Sequence, residues 1–333
     1  MYVKETMEFP KSRILAISDI HMDGIIGTPE SSCNFSDDDL HTYLTWTLKK
    51  YDIVVLNGDI FDTWESSKSE LPSDIKEICG ENESFSNWAE HKFRERFSTT
   101  ESLYPRTVTL IKNGGTSYLS GKIVYINGNH DSVCRVFNLI PNAVESYTIN
   151  CQYPIHFEHG HQADIWNKDN SCLKNVSSIC YCCSDILGEV LSIPNLDEDF
   201  ERLSTLMQGK REEESYVKHA YKLGRRNGYG IVVYGHTHKQ ILQLLEDGFV
   251  YANTGKAGSD PQHNDKIDEI EIEIYNNRVV ITQQQRYVRS CHLDVIKRVT
   301  RQEQGNSIEE VNTQRNFRIG GESDGQIKRS ASI

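Results

Sequence analysis

The stretch RILAISDIH, residues 13–21, decides the fold. Its first six residues form a short apolar run of the kind that is buried on both faces in a parallel sheet. Asp19 and His21 follow at once, two residues apart, so at a strand end both side chains point the same way. The same arrangement recurs downstream. Asp52 to Leu56 (DIVVL) is a second buried strand, followed by Gly58-Asp59-Ile60-Phe61-Asp62. Lys122 to Ile126 (KIVYI) is a third, followed by Gly128-Asn129-His130-Asp131. Further strands are expected at Ile155 to Glu158, before His159-Gly160-His161, and at Ile231 to Tyr234, before Gly235-His236-Thr237-His238. Five strand ends thus carry carboxylates, amides and imidazoles, and the carboxyl rim of an α/β sheet is where ligands gather.

Between these strands, Ser36 followed by Asp37, Asp38 and Asp39 reads as a helix start, with a capping hydroxyl and acids in the first turn. The helix is expected to reach about Lys50, with Leu40, Tyr43, Leu44 and Leu48 on its apolar face. Phe249 to Ala252 is another strand candidate. Ile267 to Tyr275 and Arg278 to Gln283 flank Asn276-Asn277 as a hairpin. Early alternation and late strand pairs predict an α/β architecture with mixed sheets. Two inserts, about 64–121 and 162–230, are polar and partly or mostly helical, the kind of segment that forms a lid or substrate wall. One domain is expected over 1–298. From Val299 the chain is poor in apolar residues, and 299–333 reads as a disordered polar tail.

The chain has 333 residues, with 37% hydrophobic and 25% charged residues, as in ordinary globular proteins. No stretch is apolar for long enough to span a bilayer. Residues 1–10 do not read as a secretory signal, so a cytoplasmic protein is expected. The net charge of −12 counts against a sequence-independent nucleic-acid binder. It does not count against a phosphate substrate, because bound cations supply local positive charge. The nine cysteines are odd in number and irregular in spacing, so reduced thiols are expected. Cys180, Cys182 and Cys183 form a cluster that reads as small buried residues rather than a zinc site, since no second Cys/His pair follows at finger-like spacing.

Any one of these motifs occurs by chance, but so many acids and histidines at the ends of buried runs would be costly if unpaired. Asp59 has two oxygens and can bridge two cations, and oxygen and imidazole ligands without thiolate suit Mn, Fe or Zn. In series, Asp19-x-His21, Gly58-Asp59-x-x-Asp62, Gly128-Asn129-His130-Asp131, His159-Gly160 and Gly235-His236-x-His238 resemble the binuclear metallophosphoesterases, the calcineurin-like phosphoesterase superfamily, over about residues 13–255. The resemblance implies two mixed β-sheets packed as a sandwich and flanked by helices. It implies Asp19, His21 and His238 on one divalent ion, Asn129, His159 and His236 on another, and Asp59 bridging. A hydroxide between the ions would attack phosphorus. His130 would stabilise the transition state or protonate the leaving oxygen, with Asp131 orienting it and Asp62 in support.

The substrate expected is a small phosphoester or a nucleotide-like molecule. The segment His159 to Asp164 looks somewhat like that of bacterial UDP-diacylglucosamine pyrophosphohydrolases. Those enzymes tend to carry Arg at the position of His130 and Asp at that of His161, so a phosphomonoesterase or phosphodiesterase fits better. A serine/threonine protein phosphatase and a non-catalytic phosphate-binding module are the alternatives. His161 is read either as lining the site or as stabilising its loop, and His156 as structural. Asn253-Thr254-Gly255 is a candidate for positioning the site loop. Trp64, Tyr104 and Trp166 are read as stacking on a base or as ordinary packing. Oligomeric state is not legible.

Overall fold

Alternation of side chains along the strands builds the layers. In β1 (Ser12–Ile17) and β2 (Ile53–Asn57), Leu15, Ile17, Val54 and Leu56 face one way and Ile14, Ala16 and Val55 the other. The first set packs on Leu40, Leu44 and Leu48 of α1 (Asp37–Lys50) and on Val108 and Ile111 of α3 (Pro105–Lys112). The second set meets Ile155 and Phe157 of β5 (Ile155–Glu158) and Ile231 and Val233 of β6 (Ile231–Tyr234). Val232, Tyr234 and Tyr251 then face outward onto Tyr216 and Ala220 of helix α4, residues 213–227. The result is helix, sheet, sheet, helix. This computed structural model describes residues 10–23, 33, 35–62, 85–115, 121–131, 134–135, 138–163, 213–258, 265–289, 292–302 and 305–316.

The remaining elements are α2 (Phe85–Leu103), β3 (Lys122–Ile126), β4 (Ser146–Ile149), β7 (Ile241–Leu244), β8 (Val250–Asn253), β9 (Lys266–Ile274), β10 (Arg278–Tyr287), β11 (His292–Gln302) and β12 (Ser307–Asn316). The seven-stranded sheet runs β12-β11-β10-β9-β1-β2-β3 and the five-stranded sheet β4-β5-β6-β8-β7. Strands β1, β2 and β3 are mutually parallel, as are β5, β6 and β8. The mixed two-sheet sandwich expected from the sequence is therefore present.

The helix start is as expected. Ser36 caps Asp39 N–H with its hydroxyl, and the Asp39 carboxylate accepts from Ser36 N–H. The Asn276-Asn277 hairpin joins β9 and β10. The first insert carries α2 and α3, and Tyr104 between them is fully buried, so it packs rather than stacking on a ligand. Trp64, Trp166 and the Cys180–Cys183 cluster lie outside the described residues.

The tail expected from Val299 needs correction. Residues 299–302 continue β11, and 307–316 form β12 on its edge, in register from Thr300↔Ser307 to His292↔Asn316. In β11 only Val295 and Val299 are buried. The strand is held by its backbone ladder more than by an apolar face, so its composition reads as loop. Residues beyond 316 lie outside the described residues. Among the described residues no helix is long and apolar enough to cross a membrane.

Candidate metal centre

Because β1, β2, β3, β5 and β6 run parallel within their sheets, the residues that follow them share one rim of the sandwich. Backbone bonds extend the pairing of neighbouring strands in each sheet into that rim. Asp19 N–H donates to Gly58 O at 3.0 Å, and Gly235 N–H to His159 O at 2.9 Å. Five of the seven non-glycine residues with left-handed backbone, among those described, are Asp19, His21, Asp59, His236 and His238, with φ between 51° and 69°. Asp and His tolerate this region better than most residues, and such conformations gather at functional sites. Gly128 allows the close approach on which the rim depends: a Cβ there would collide with the Asp59 carboxylate and backbone.

Three groups of potential ligands form among the described residues, one of them His21, Asp62 and His130. Asp19, His21 and His238 bring one ligand atom each within 4.8 Å of the others. His21 Nε2 and His238 Nε2 are 3.2 Å apart, and Asp19 Oδ1 is 3.2 Å from His238 Nε2. Asp59, His159 and His236 form the second group on the same criterion. Asp59 Oδ2 lies 3.0 Å from His159 Nε2. Asn129 sits in the β3 turn immediately before His130, whose N–H donates to Asp59 Oδ1 at 2.8 Å.

The donor set fits divalent cations. Asp19 Oδ2 accepts from the Ser18 hydroxyl and from His236 N–H at 3.1 Å. Its other oxygen, Oδ1, is buried without a hydrogen bond. His159 donates Nδ1–H to Asn57 O at 2.8 Å, while Nε2 is buried and makes no aligned hydrogen bond. Buried polar atoms left in this way normally cost stability. Here Asp19 Oδ1 faces His238 Nε2 and His159 Nε2 faces Asp59 Oδ2, as ligand atoms around ions would.

The charges are matched to such a role. Burial alone would raise the Asp59 carboxyl, but the fields of His159 and His130 hold it well below the ordinary range. Asp19 is likewise lowered, with burial opposed by the adjacent His238 imidazole and the field of His159. Burial would lower His159 and His130, yet the negative charge of Asp59 outweighs it, and they are pushed up to about 9 and about 10. The rim is thus a place that favours positive charge.

Asp131 is placed differently from expectation. Its fully buried carboxylate accepts from Ile60 N–H at 2.8 Å, Gly128 N–H at 2.5 Å and the Tyr125 hydroxyl at 2.5 Å. It ties the β2 and β3 turns together. The carboxylate beside the His130 ring belongs to Asp62, with Oδ1 3.4 Å from His130 Nδ1 and Oδ2 3.3 Å from His21 Nδ1. The carboxylate alongside both rings is therefore Asp62, which the β2 turn brings there while Asp131 turns inward. His161 lies with its ring centroid 5.6 Å from that of His159 and 6.3 Å from that of His236, so it borders the second group. His156 is buried between Thr148 and Glu158 and stacks on Tyr229, a structural role. Asn253 donates to Gly235 O at 2.6 Å and accepts from Gly255 N–H, holding the turn before His236. Sequence reasoning missed Ser18 and Asn57, which looked like ordinary strand-end polar residues.

The profile of the calcineurin-like phosphoesterases matches residues 12–240. The chain belongs to that family. Some solved structures resemble it at low identity. A dimetal phosphatase from Danio rerio is 13% identical, with 82% of this chain and 96% of that chain covered and a TM-score of 0.40. Vacuolar Protein Sorting 29 from Cryptosporidium parvum is 12% identical, with 93% and 100% covered and a TM-score of 0.38. A conserved uncharacterized protein from Streptococcus pneumoniae TIGR4, a predicted phosphoesterase, is 13% identical, with 82% and 88% covered and a TM-score of 0.35. These likenesses concern the fold alone. No curated protein matches the sequence at a significant level.

Proposed function

We propose that this calcineurin-like phosphoesterase hydrolyses a small phosphomonoester or phosphodiester with two divalent cations, of Mn, Fe or Zn type. The observation that carries the reading is the convergence of two ligand groups on one rim. Asp19, His21 and His238 would hold one ion, and Asn129, His159 and His236 the other, with Asp59 between them. When bound, the ions would polarise phosphoryl oxygens and activate water.

The chain's own groups then have distinct tasks. His130, 33% exposed in its side chain, is the histidine beside the ligand groups whose protonated form is favoured, by Asp59 and Asp62. A protonated imidazole there donates to charge that develops on phosphoryl or leaving-group oxygen. Asp62 fixes that ring and the ring of His21 through their Nδ1 atoms, which turns both Nε2 atoms away from Asp62. Asp131 keeps the two turns in register. His161 borders the second group as a contact for substrate.

The test is turnover of p-nitrophenyl phosphate and bis-p-nitrophenyl phosphate, alongside nucleotide pyrophosphates, with Mn²⁺, Zn²⁺ or Mg²⁺ added. Metal-dependent release of product is expected. Two bound ions without turnover on any of these substrates would overturn hydrolysis in favour of a phosphate-binding module.

A further inference from the structure

We propose that Asn57 is a positioning residue that sets the second cation group by clamping the three strands that deliver it. The inference rests on the metal-dependent reading above. Asn57 ends β2 after the apolar run Ile53 to Leu56 and is fully buried. Its side-chain Nδ2 crosses the sandwich to donate to Glu158 O of β5 at 3.2 Å and to Val233 O of β6 at 3.4 Å. Its own carbonyl accepts from His159 Nδ1 at 2.8 Å.

Those contacts map onto the site strand by strand. Strand β2 leads to Asp59, β5 to His159 and β6 to His236, and Asn57 belongs to the first and bonds the other two. His159 is held from both sides, its ring by the Asn57 carbonyl and its preceding peptide by the Asn57 amide. The bond to Nδ1 leaves Nε2 beside Asp59 Oδ2, the orientation a metal ligand needs. The Asp19 group draws on β1 and on the turn after His236, where Ser18 and His236 N–H hold the carboxylate, so Asn57 does not touch its ligands.

Asn57 is also an expensive choice for packing. Its Oδ1 is buried with no hydrogen-bond partner. A half-satisfied amide inside an apolar sandwich is destabilising relative to an aliphatic residue of similar size. A buried polar residue kept at such a cost beneath a site points to the site rather than to stability.

The experiment uses the full chain and Mn²⁺ alone as the probe. Asn57→Leu removes both cross-sheet donors and continues the apolar run. The metal-free variant is expected to melt at or above the wild-type temperature. Calorimetric titration should show one Mn²⁺ bound as in wild type and the other weakened by about 10–100-fold, the range for groups that orient ligands. Turnover should fall at limiting Mn²⁺ and recover in part at saturation. Wild-type affinity at both sites would overturn the proposal. So would equal weakening at both sites together with a lowered melting temperature, which is what mere destabilisation would give. If Leu prevents folding, Asn57→Ser decides on the same two criteria. Should the wild-type chain itself take up no Mn²⁺, the functional reading beneath falls; should it bind two ions that Asn57 variants bind equally well, only this inference falls.

Discussion

The two ligand groups differ in depth. In the Asp59 group the carboxylate is 1% exposed and His159 is 0% exposed. In the Asp19 group the carboxylate is equally buried, but the His238 side chain is 44% exposed. Two members of the deep group are clasped, Asp59 by His130 N–H and His159 by the Asn57 carbonyl, while His236 is half-buried. The open group has its carboxylate clasped and one imidazole at the edge. Interactions among charges strengthen as water is excluded, so the deep group should bind its ion tightly and release it slowly, while the open group exchanges. One site would act as a fixed part of the enzyme and the other as the adjustable one.

The largest test removes the carboxylate proposed to lie between the two ions. Asp59→Asn should reduce turnover to background and weaken both ions, as read by metal analysis after gel filtration. Retention of two tightly bound ions would remove Asp59 from its place between them. Next, His159→Ala and His238→Ala should each cost one ion, but with different partners left behind. After brief chelation His238→Ala should retain its single ion, whereas His159→Ala should lose the one it has. The reverse ranking would invert the comparison.

A smaller effect is expected from His130→Ala, which should keep both ions and slow turnover by about 10²-fold. Asp62→Asn should do the same by about 10–100-fold, with some weakening at His21 as well. A lost ion in His130→Ala would make that residue a ligand instead. The smallest effect is on pH. The His159 imidazole, raised to about 9 in the metal-free chain by Asp59 after burial has opposed it, is protonated at neutral pH. A metal needs the unprotonated ring, so binding at the deep group releases a proton. Affinity should rise with pH, by about tenfold per unit for one proton, and level off near the raised pKa. A flat profile in wild type would show that His159 does not exchange a proton for the ion.

Much of this was legible in the sequence, for a definite reason. Strands β1, β2, β3, β5 and β6 are covered on both faces, so they read as uninterrupted apolar runs, and the polar residues that end them stand out. The Ser36 capping box announces α1 as clearly. Strands β11 and β12 were illegible because their ladder is made of backbone groups, which composition does not reveal; β11 buries only Val295 and Val299. The placement of Asp62 and Asp131 was not legible for a related reason. Both follow a glycine turn by a few residues, and only the packing of β2 against β3 turns one toward His130 and the other toward Tyr125. Asn57 was hidden by position, since a polar residue at the end of a strand is unremarkable until the opposite sheet is in view.

The left-handed backbone at Asp19, His21, Asp59, His236 and His238 has a consequence for how the molecule breathes. Each such residue costs on the order of 1–3 kcal/mol unless its surroundings enforce it. Without cations, the rim is a cluster of wound springs held by the sheets on either side. Local opening should begin there rather than in the antiparallel ladder of β9, β10 and β11. Deuterium uptake at the amides of Asp19, His21 and His236, bonded to Gly58 O, Asp59 O and Asp19 Oδ2, should therefore be fast in the stripped protein and fall sharply once Mn²⁺ is supplied, with the β9–β10 hairpin unchanged.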